Sequence, residues 1–357
     1  MPRRRSDAML HALSVVAPGQ PLREGVDRIL QSGMGALIVV GDGPKVLSIC
    51  SGGFLLDAAF SPQRLSELAK MDGAIVLAAD TSRIARANVH LVPDPSIPTS
   101  ETGTRHRTAE RVARAMGLPV ISVSEDMAVI AVYTGAEKHQ LIPVPRLLDR
   151  ADQALQTLER YKQRLVEVSS NLDALEVEDL VTVRDVATLL QRNEMVLRIA
   201  DEIAIDIVEL GTEGRLVRLQ LDEVLAGVAD QRRLVLRDYV NEDTDWHVDD
   251  ALARISELDT EELLDLDLVI ATLHLPAAAS TPDAPLSPRG HRMLSRLPRL
   301  REPIIDRVVT TFGSLARILR ASEKELDAVE GVSPQRARAI KDGLRRIAES
   351  SILDHYS

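Results

Sequence analysis

Between residues 20 and 150, continuous apolar runs alternate with stretches in which apolar residues recur every three or four positions. The first kind reads as buried strand and the second as helix. Ala36 to Val40, Ile75 to Ala79, Pro119 to Val123 and Met127 to Tyr133 predict strands, with a shorter extended piece from Ile84 to Val92. Leu22 to Gln31 predicts a helix stopped at Ser32-Gly33. Ser61-Pro62 opens another through Leu65, Leu68 and Ala69, with Ser as N-cap and Pro at the first helical position. Pro93-Asp94-Pro95-Ser96-Ile97-Pro98 is a stiff connector, because each proline fixes φ. The alternation predicts an α/β domain with a central mixed sheet over residues 1–145.

Near residue 145 the pattern becomes helical. Ala151, Ala154, Leu158, Tyr161, Leu165, Val168, Leu172 and Leu175 hold a heptad register without Pro or Gly between them. They serve either as helical core or, over so long a register, for helix pairing between subunits. The helical pattern continues to about Leu225, and Asp259 to Leu273 predicts one more acidic helix. Residues 146–285 therefore predict an all-α spine, closed by a Pro- and Ala-rich linker over 276–285. Residues 286–357 read as paired helices. Ser322-Glu323-Lys324-Glu325 has the form of a capping box and starts a helix through Leu326 and Val329. Glu330-Gly331-Val332-Ser333 is a turn, and Pro334 to Ile347 is the second helix.

The chemistry concentrates in Gly103-Thr104-Arg105-His106-Arg107-Thr108-Ala109-Glu110-Arg111. Ala109, Val112, Ala113 and Met116 fall at helical spacing, with Arg107, Glu110, Arg111 and Arg114 on the other face. Thr104, Arg105 and His106 are expected in the turn ahead of the regular helix. A helix N-terminus favours an anion, Arg forks onto phosphate, and the Thr hydroxyls add donors. The same residues would also serve as a capped surface helix with a solvated basic face.

A second stretch favours the first reading. In Lys70-Met71-Asp72-Gly73-Ala74-Ile75, a carboxylate and a glycine open an apolar strand. Asp can hold a divalent metal, and Gly admits close approach to the backbone. Asp72-Gly73-Ala74 together with Arg105-His106-Arg107 resembles the signature of the diadenylate cyclase domain. The whole chain resembles the DNA integrity scanning protein family, densely from Gly33 to Tyr133 and more loosely beyond. The resemblance implies condensation of two ATP into cyclic di-AMP with release of two pyrophosphates. It implies Asp72 as ligand of Mg²⁺ or Mn²⁺, with a part in deprotonating the 3′-hydroxyl. Gly73 and Ala74 would let the nucleotide approach. Thr104, Arg105, His106, Arg107 and Thr108 would surround the phosphates. Leu91 and Ser124 would touch the adenosine. It further implies a homo-octamer with cyclase domains at its centre. The other reading is a non-catalytic, branched-DNA-binding protein whose α/β domain only binds nucleotide and assembles subunits.

The last block resembles a helix-hairpin-helix unit, whose turn amides hold a DNA phosphate without reading sequence. Gly331, Val332, Ser333, Arg336 and Arg338 are the residues so implied. Leu297-Pro298-Arg299-Leu300 followed by Ile304 to Phe312 resembles the degenerate partner unit. Ser333 stands where that turn usually has a second glycine, and Pro334 offers no N–H.

Charge sharpens this division. Lys and Arg number 17 against 15 Asp and Glu in 1–150, 12 against 30 in 151–285, and 14 against 9 in 286–357. The net −11 of the chain therefore hides a basic last block. Its arginines, among them Arg289, Arg292, Arg296, Arg299, Arg301, Arg345 and Arg346, support binding of DNA, expected to be branched. The acidic middle reads as a solvated bundle surface. Aromatics make up 2% of the chain, so the core must rest on aliphatic side chains. The lone Cys50 excludes a disulfide framework and a Cys-based zinc site. Met1-Pro2-Arg3-Arg4-Arg5 faintly mimics a secretory signal, but His11 and Ser14 interrupt the apolar part, which predicts an amphipathic helix. No apolar run reaches membrane-spanning length, so no membrane partner and a cytoplasmic, nucleoid-associated location are expected.

Overall fold

The computed structural model describes residues 5–125, 127–240, 247–273, 275 and 281–355, the last four by backbone alone. An α/β domain with a mixed sheet is followed by long helices. Two compact units divide the chain, one of 2–155 with 202–220 and one of 156–201 with 221–357.

In the first unit, α1 (Asp7–Val15) and α2 (Pro21–Gln31) precede β1 (Ala36–Val40). There follow α3 (Pro44–Ser48), β2 (Cys50–Ser51), β3 (Phe54–Ala59), α4 (Pro62–Leu68), β4 (Ala74–Leu77) and β5 (Arg83–Leu91). Then come α5 (Thr104–Met116), β6 (Val120–Ser124), β7 (Val129–Thr134) and β8 (Glu137–Gln140). The strand order is β2-β5-β4-β1-β6-β7-β8, with β3 paired to β5. Only β1 and β4 run parallel; the other pairs are antiparallel.

β1 is buried at every position, which a strand covered on both faces requires. Ala36, Ile38 and Val40 face one apolar cluster with Leu13, Val26, Ile29 and Leu65. Leu37 and Val39 face the other, with Ala109, Val112, Ala113 and Tyr133. Cutting Ile38 to Ala would cost about 2–5 kcal/mol. Two sequence expectations shift here. β7 starts at Val129, because Ala128 takes φ +49° in a turn and Met127 is exposed. Thr104, Arg105 and His106 lie inside the first turn of α5, with Gly103 as its N-cap.

Beyond β8 run α6 (Val144–Glu178) and α7 (Val183–Leu210), then α8 (Arg215–Leu225), α9 (Val228–Tyr239) and α10 (Val248–Glu257). The heptad positions Ala151, Leu158, Leu165 and Leu172 of α6 are buried within the chain itself. The single acidic helix expected over Asp259 to Leu273 is two, α11 (Thr260–Leu264) and α12 (Leu266–Thr272). Asp265 leaves helical conformation between them and caps the second. Part of the expected linker, 276–280, lies outside the described residues. Its far end is ordered: Pro285 bridges Thr182.

The last helices are α13 (His291–Ser295), α14 (Glu302–Phe312), α15 (Leu315–Arg320), α16 (Glu323–Asp327) and α17 (Pro334–His355). The capping box of Ser322 and Glu325 is formed, and α16 ends at Asp327, short of Val329. These helices share a core of Leu294, Ile305, Val308, Leu315, Ile318, Leu326, Ala337, Ile340 and Leu344.

Candidate active site

The topology gathers most of the singled-out residues of the first unit at one end of the sheet. Parallel pairing puts the N-terminal ends of β1 and β4 side by side, so Gly35 lies near Asp72-Gly73-Ala74. Antiparallel pairing brings the last residues of β5 and β6 to the same end, and with them Leu91 and Ser124. The first turn of α5 reaches this end through Arg105, whose Nη2 is 3.9 Å from Asp72 Oδ1.

Gly35, which sequence reading passed over, makes room for that arginine. A Cβ at Gly35 would come within 2.0 Å of Arg105 Nη1 and 3.2 Å of the Val123 carbonyl oxygen. Gly73 is required for a related reason. A Cβ there would sit 2.8 Å from the backbone of Asn88, which takes φ +52° in an irregular stretch of β5. The Asp72 side chain is fully exposed, and at 3.9 Å Arg105 does not hydrogen-bond to it. Its oxygens are open to a cation or to water.

The basic turn does not act as one cradle. Arg105 points toward Asp72, while His106 Nδ1 meets the hydroxyl of Tyr133 at 2.9 Å. Thr108 donates its hydroxyl to the Thr104 carbonyl, so that donor is engaged inside the helix. Thr104 and Arg107 are exposed. Leu91 is 5% exposed and packs in the apolar cluster beside α5.

The polar face of α5 is not simply solvated, as the alternative reading of these residues had it. Glu110 is buried and accepts from the Thr99 hydroxyl at 2.5 Å, the Ser100 N–H at 3.0 Å and Arg114 at 2.6 Å. Arg111 donates to the Ile97 carbonyl and Arg114 to that of Pro98. Three residues of the helix thus hold the proline connector that leads into Gly103. Burial works against ionisation of Glu110, but Thr99, Ser100 and Arg114 outweigh it and hold its carboxyl below the usual range.

Among the described residues no cluster of three or more His, Cys, Asp or Glu could hold a metal ion. A lone exposed carboxylate still suits Mg²⁺, which keeps several waters and takes its other ligands from substrate phosphates.

In the second unit the turn Val329-Glu330-Gly331-Val332-Ser333 joins α16 to α17. Gly331 takes φ +86°, the Val332 N–H bonds back to the Val329 carbonyl, and the Ala337 N–H bonds to that of Ser333. The turn between α13 and α14 repeats this geometry. Arg299 takes φ +65°, the Leu300 N–H bonds to the Leu297 carbonyl, and the Ile305 N–H to that of Arg301. Ser333 lies 3.4 Å from the Arg336 N–H as its cap. Arg336 donates to the Gly331 carbonyl, and Arg338 lies 3.5 Å from Glu323.

Three arginines counted toward a basic surface are tied to groups of the protein itself, one of them in the interior. Arg292 is buried between Asp173, at 2.7 Å, and Glu176, at 2.9 Å. Arg296 pairs with Asp173, and Arg289 donates to the carbonyls of Arg237 and Val240. Asp238 receives the N–H groups of Gly290, His291 and Arg292 at the start of α13. Charge counting misses this, because the acids that pair with Arg292 and Arg296 lie more than a hundred residues away in α6.

No helix among the described residues is long and apolar enough to cross a membrane. A family described as the DisA bacterial checkpoint controller nucleotide-binding domain matches residues 23–138, and the DisA linker region matches residues 141–281. The DNA integrity scanning protein DisA of Streptomyces coelicolor is 53% identical over 98% of this chain and 95% of its own. That of Acidothermus cellulolyticus is 54% identical over 99% of this chain and 97% of its own. A solved structure of DacA from Staphylococcus aureus aligns with 39% of this chain and 91% of its own at 23% identity, with a TM-score of 0.29 too low to carry an argument. With a nucleotide-binding domain over its first sheet and relatives matched almost end to end, the chain belongs to the DisA family of DNA integrity scanning proteins.

Proposed function

We propose that the chain condenses two ATP into cyclic di-AMP, releasing two pyrophosphates, and that its last helices hold DNA without reading sequence. The observation that carries the first half is the meeting of Asp72 and Arg105 at one sheet end, between Gly35 and Gly73. Each 3′-oxygen attacks the α-phosphorus of the other ATP as the bond to pyrophosphate breaks. The work is mostly positioning and neutralisation of charge. Arg105, with the exposed Thr104 and Arg107, offers cations and donors to the phosphates at the start of α5. Gly73 and Ala74 let the nucleotide lie against the backbone, with Leu91 and Ser124 beside the adenosine. Asp72 holds Mg²⁺ or Mn²⁺, which when bound neutralises phosphate charge and favours loss of the 3′-hydroxyl proton, to which Asp72 contributes. A product with two-fold symmetry requires two half-sites facing across a two-fold axis, so the active form is a homo-oligomer, in our reading an octamer.

The repeated turns at Arg299 and Gly331 support the DNA half. Each sets a left-handed residue at a tight turn beside exposed arginines, as a helix-hairpin-helix pair would. Several such pairs on one assembly would grip several arms of a branched duplex. DNA held there would change the rate of synthesis in a cytoplasmic, nucleoid-associated enzyme.

The deciding experiment is to incubate the pure protein with ATP and Mg²⁺ or Mn²⁺ and identify the product by mass. Cyclic di-AMP is expected. Unchanged ATP under conditions where the protein binds it would favour a non-catalytic DNA-binding role.

A further inference from the structure

His106 has one ring nitrogen engaged. Its Nδ1 lies 2.9 Å from the Tyr133 hydroxyl, and that hydroxyl lies 3.2 Å from Glu101 Oε1. Glu101 also takes the Lys138 ammonium at 2.5 Å. A carboxylate paired to a lysine only accepts, and a phenol has one hydrogen to give. Tyr133 therefore donates to Glu101 and shows His106 only a lone pair. Nδ1 must carry a proton to make the contact. Burial holds the His106 ring below the usual histidine range, opposed by Glu101 and reinforced by Lys138 and Arg105. At neutral pH the ring is neutral and has a single N–H, so Nε2 is bare. Among the described residues Nε2 has no hydrogen-bond partner.

We infer that Tyr133, fixed by Glu101, is a positioning residue that holds His106 in one tautomer, with Nε2 as an open acceptor that receives the nucleotide 3′-hydroxyl and not a phosphate oxygen. The hydroxyl part rests on the cyclase reading above. A bare nitrogen and a phosphate oxygen both carry lone pairs and repel. The groups an ATP offers such an acceptor are its hydroxyls and its amine, and the 3′-hydroxyl is the one that must approach a reacting centre. Tyr133 suits the task because it cannot swing. It is 1% exposed, packed in the cluster with Val39, Val112 and Ala113, and only its tip is polar. This separates His106 from its neighbour: Arg105 supplies charge, and His106 supplies an acceptor.

Tyr133→Phe keeps the ring and its packing and removes the fixed lone pair. Two measurements on the full chain test the inference. Solid-state nitrogen spectra of histidine-labelled protein, assigned with His106→Gln, should show Nδ1 protonated and Nε2 bare in the parent, and a mixture in Tyr133→Phe. Calorimetry should compare α,β-methylene ATP, which cannot lose pyrophosphate, with its 3′-deoxy form. The parent should prefer the hydroxyl-bearing analogue by about five-fold, the worth of one hydrogen bond. Tyr133→Phe should lose that preference and bind the deoxy analogue as the parent does. A protonated Nε2 in the parent, or an undiminished preference in Tyr133→Phe, would overturn the inference. A parent that binds neither analogue would sink the nucleotide reading instead, while the nitrogen spectra would still decide the tautomer.

Discussion

Arg105 occupies the space that a side chain at Gly35 would need: a Cβ there would fall 2.0 Å from its Nη1. The guanidinium is held at the sheet end by the absence of an atom on the neighbouring strand. Gly35→Ala should push it away from Asp72 while leaving the fold intact, because the clash is with the far end of a flexible side chain. A displacement on the scale of 1 Å can cost about 100-fold in turnover. Cyclic di-AMP formation should fall by about that much, with melting shifted by no more than about 3 °C. Normal synthesis in this variant would remove Arg105 from the site.

Asp72→Asn should abolish synthesis while ATP still binds. The side chain is fully exposed, so melting should not change. Product assays across Mg²⁺ and Mn²⁺ concentrations, with calorimetric binding of ATP alongside, check both statements. Near-normal turnover would end the metal role given to Asp72.

Glu110 ties the proline connector to α5, and its carboxyl is held below the usual range. A carboxyl whose folded value is depressed contributes stability above its ordinary 4.5, and that stability is lost as the pH falls through the lowered value. Glu110→Ala should cost about 1–3 kcal/mol at pH 7 by leaving Thr99, Ser100 and Arg114 without their acceptor. The gap between variant and parent should narrow as the pH drops below 4.5. Urea melts at several pH values read this directly, and a constant gap would mean that the tie is not ionic.

Arg292→Ala should be far more damaging than loss of a surface arginine. It leaves Glu176 buried without its cation and Asp173 with Arg296 alone, which costs about 3–5 kcal/mol. Denaturation followed by circular dichroism should show the loss, and Arg346→Ala serves as the exposed comparison.

For the proposed grip on DNA, alanine at Arg299, Arg336 and Arg338 should weaken binding equally for all sequences. The slope of log affinity against log salt should shrink by about 0.9 for each phosphate contact removed. Gel shifts on branched and linear duplexes across a salt series provide the measurement. Unchanged affinity in the triple variant would move the DNA site elsewhere.

Much of the sheet was legible because its strands are covered. Ala36 to Val40 is a continuous apolar run because both faces of β1 are buried. β3 was not legible. Its Phe54, Leu55 and Leu56 are exposed, so no alternation marks which face is inward. The motif residues stood out, but the atoms that aim them did not. Gly35 matters only once β1 and α5 are side by side, and Tyr133 reads as ordinary core. A tyrosine inside an apolar strand was the available signal, since its hydroxyl must find a partner. The fate of Arg292 was invisible for the same reason, because its acids are supplied by a distant helix.

The buried arginine has a consequence for inheritance and for engineering. Asp173, Glu176 and Asp238 are made neutral company by residues that begin the C-terminal helices. Those helices therefore cannot be treated as a detachable cassette. A chain cut before Gly290 would leave Asp173 and Glu176 without their cations and Asp238 without the N–H groups it receives. A graft of foreign helices would have to bring a cation to the same place. In relatives built on this plan, the spine and the terminal helices should be gained, lost and exchanged together.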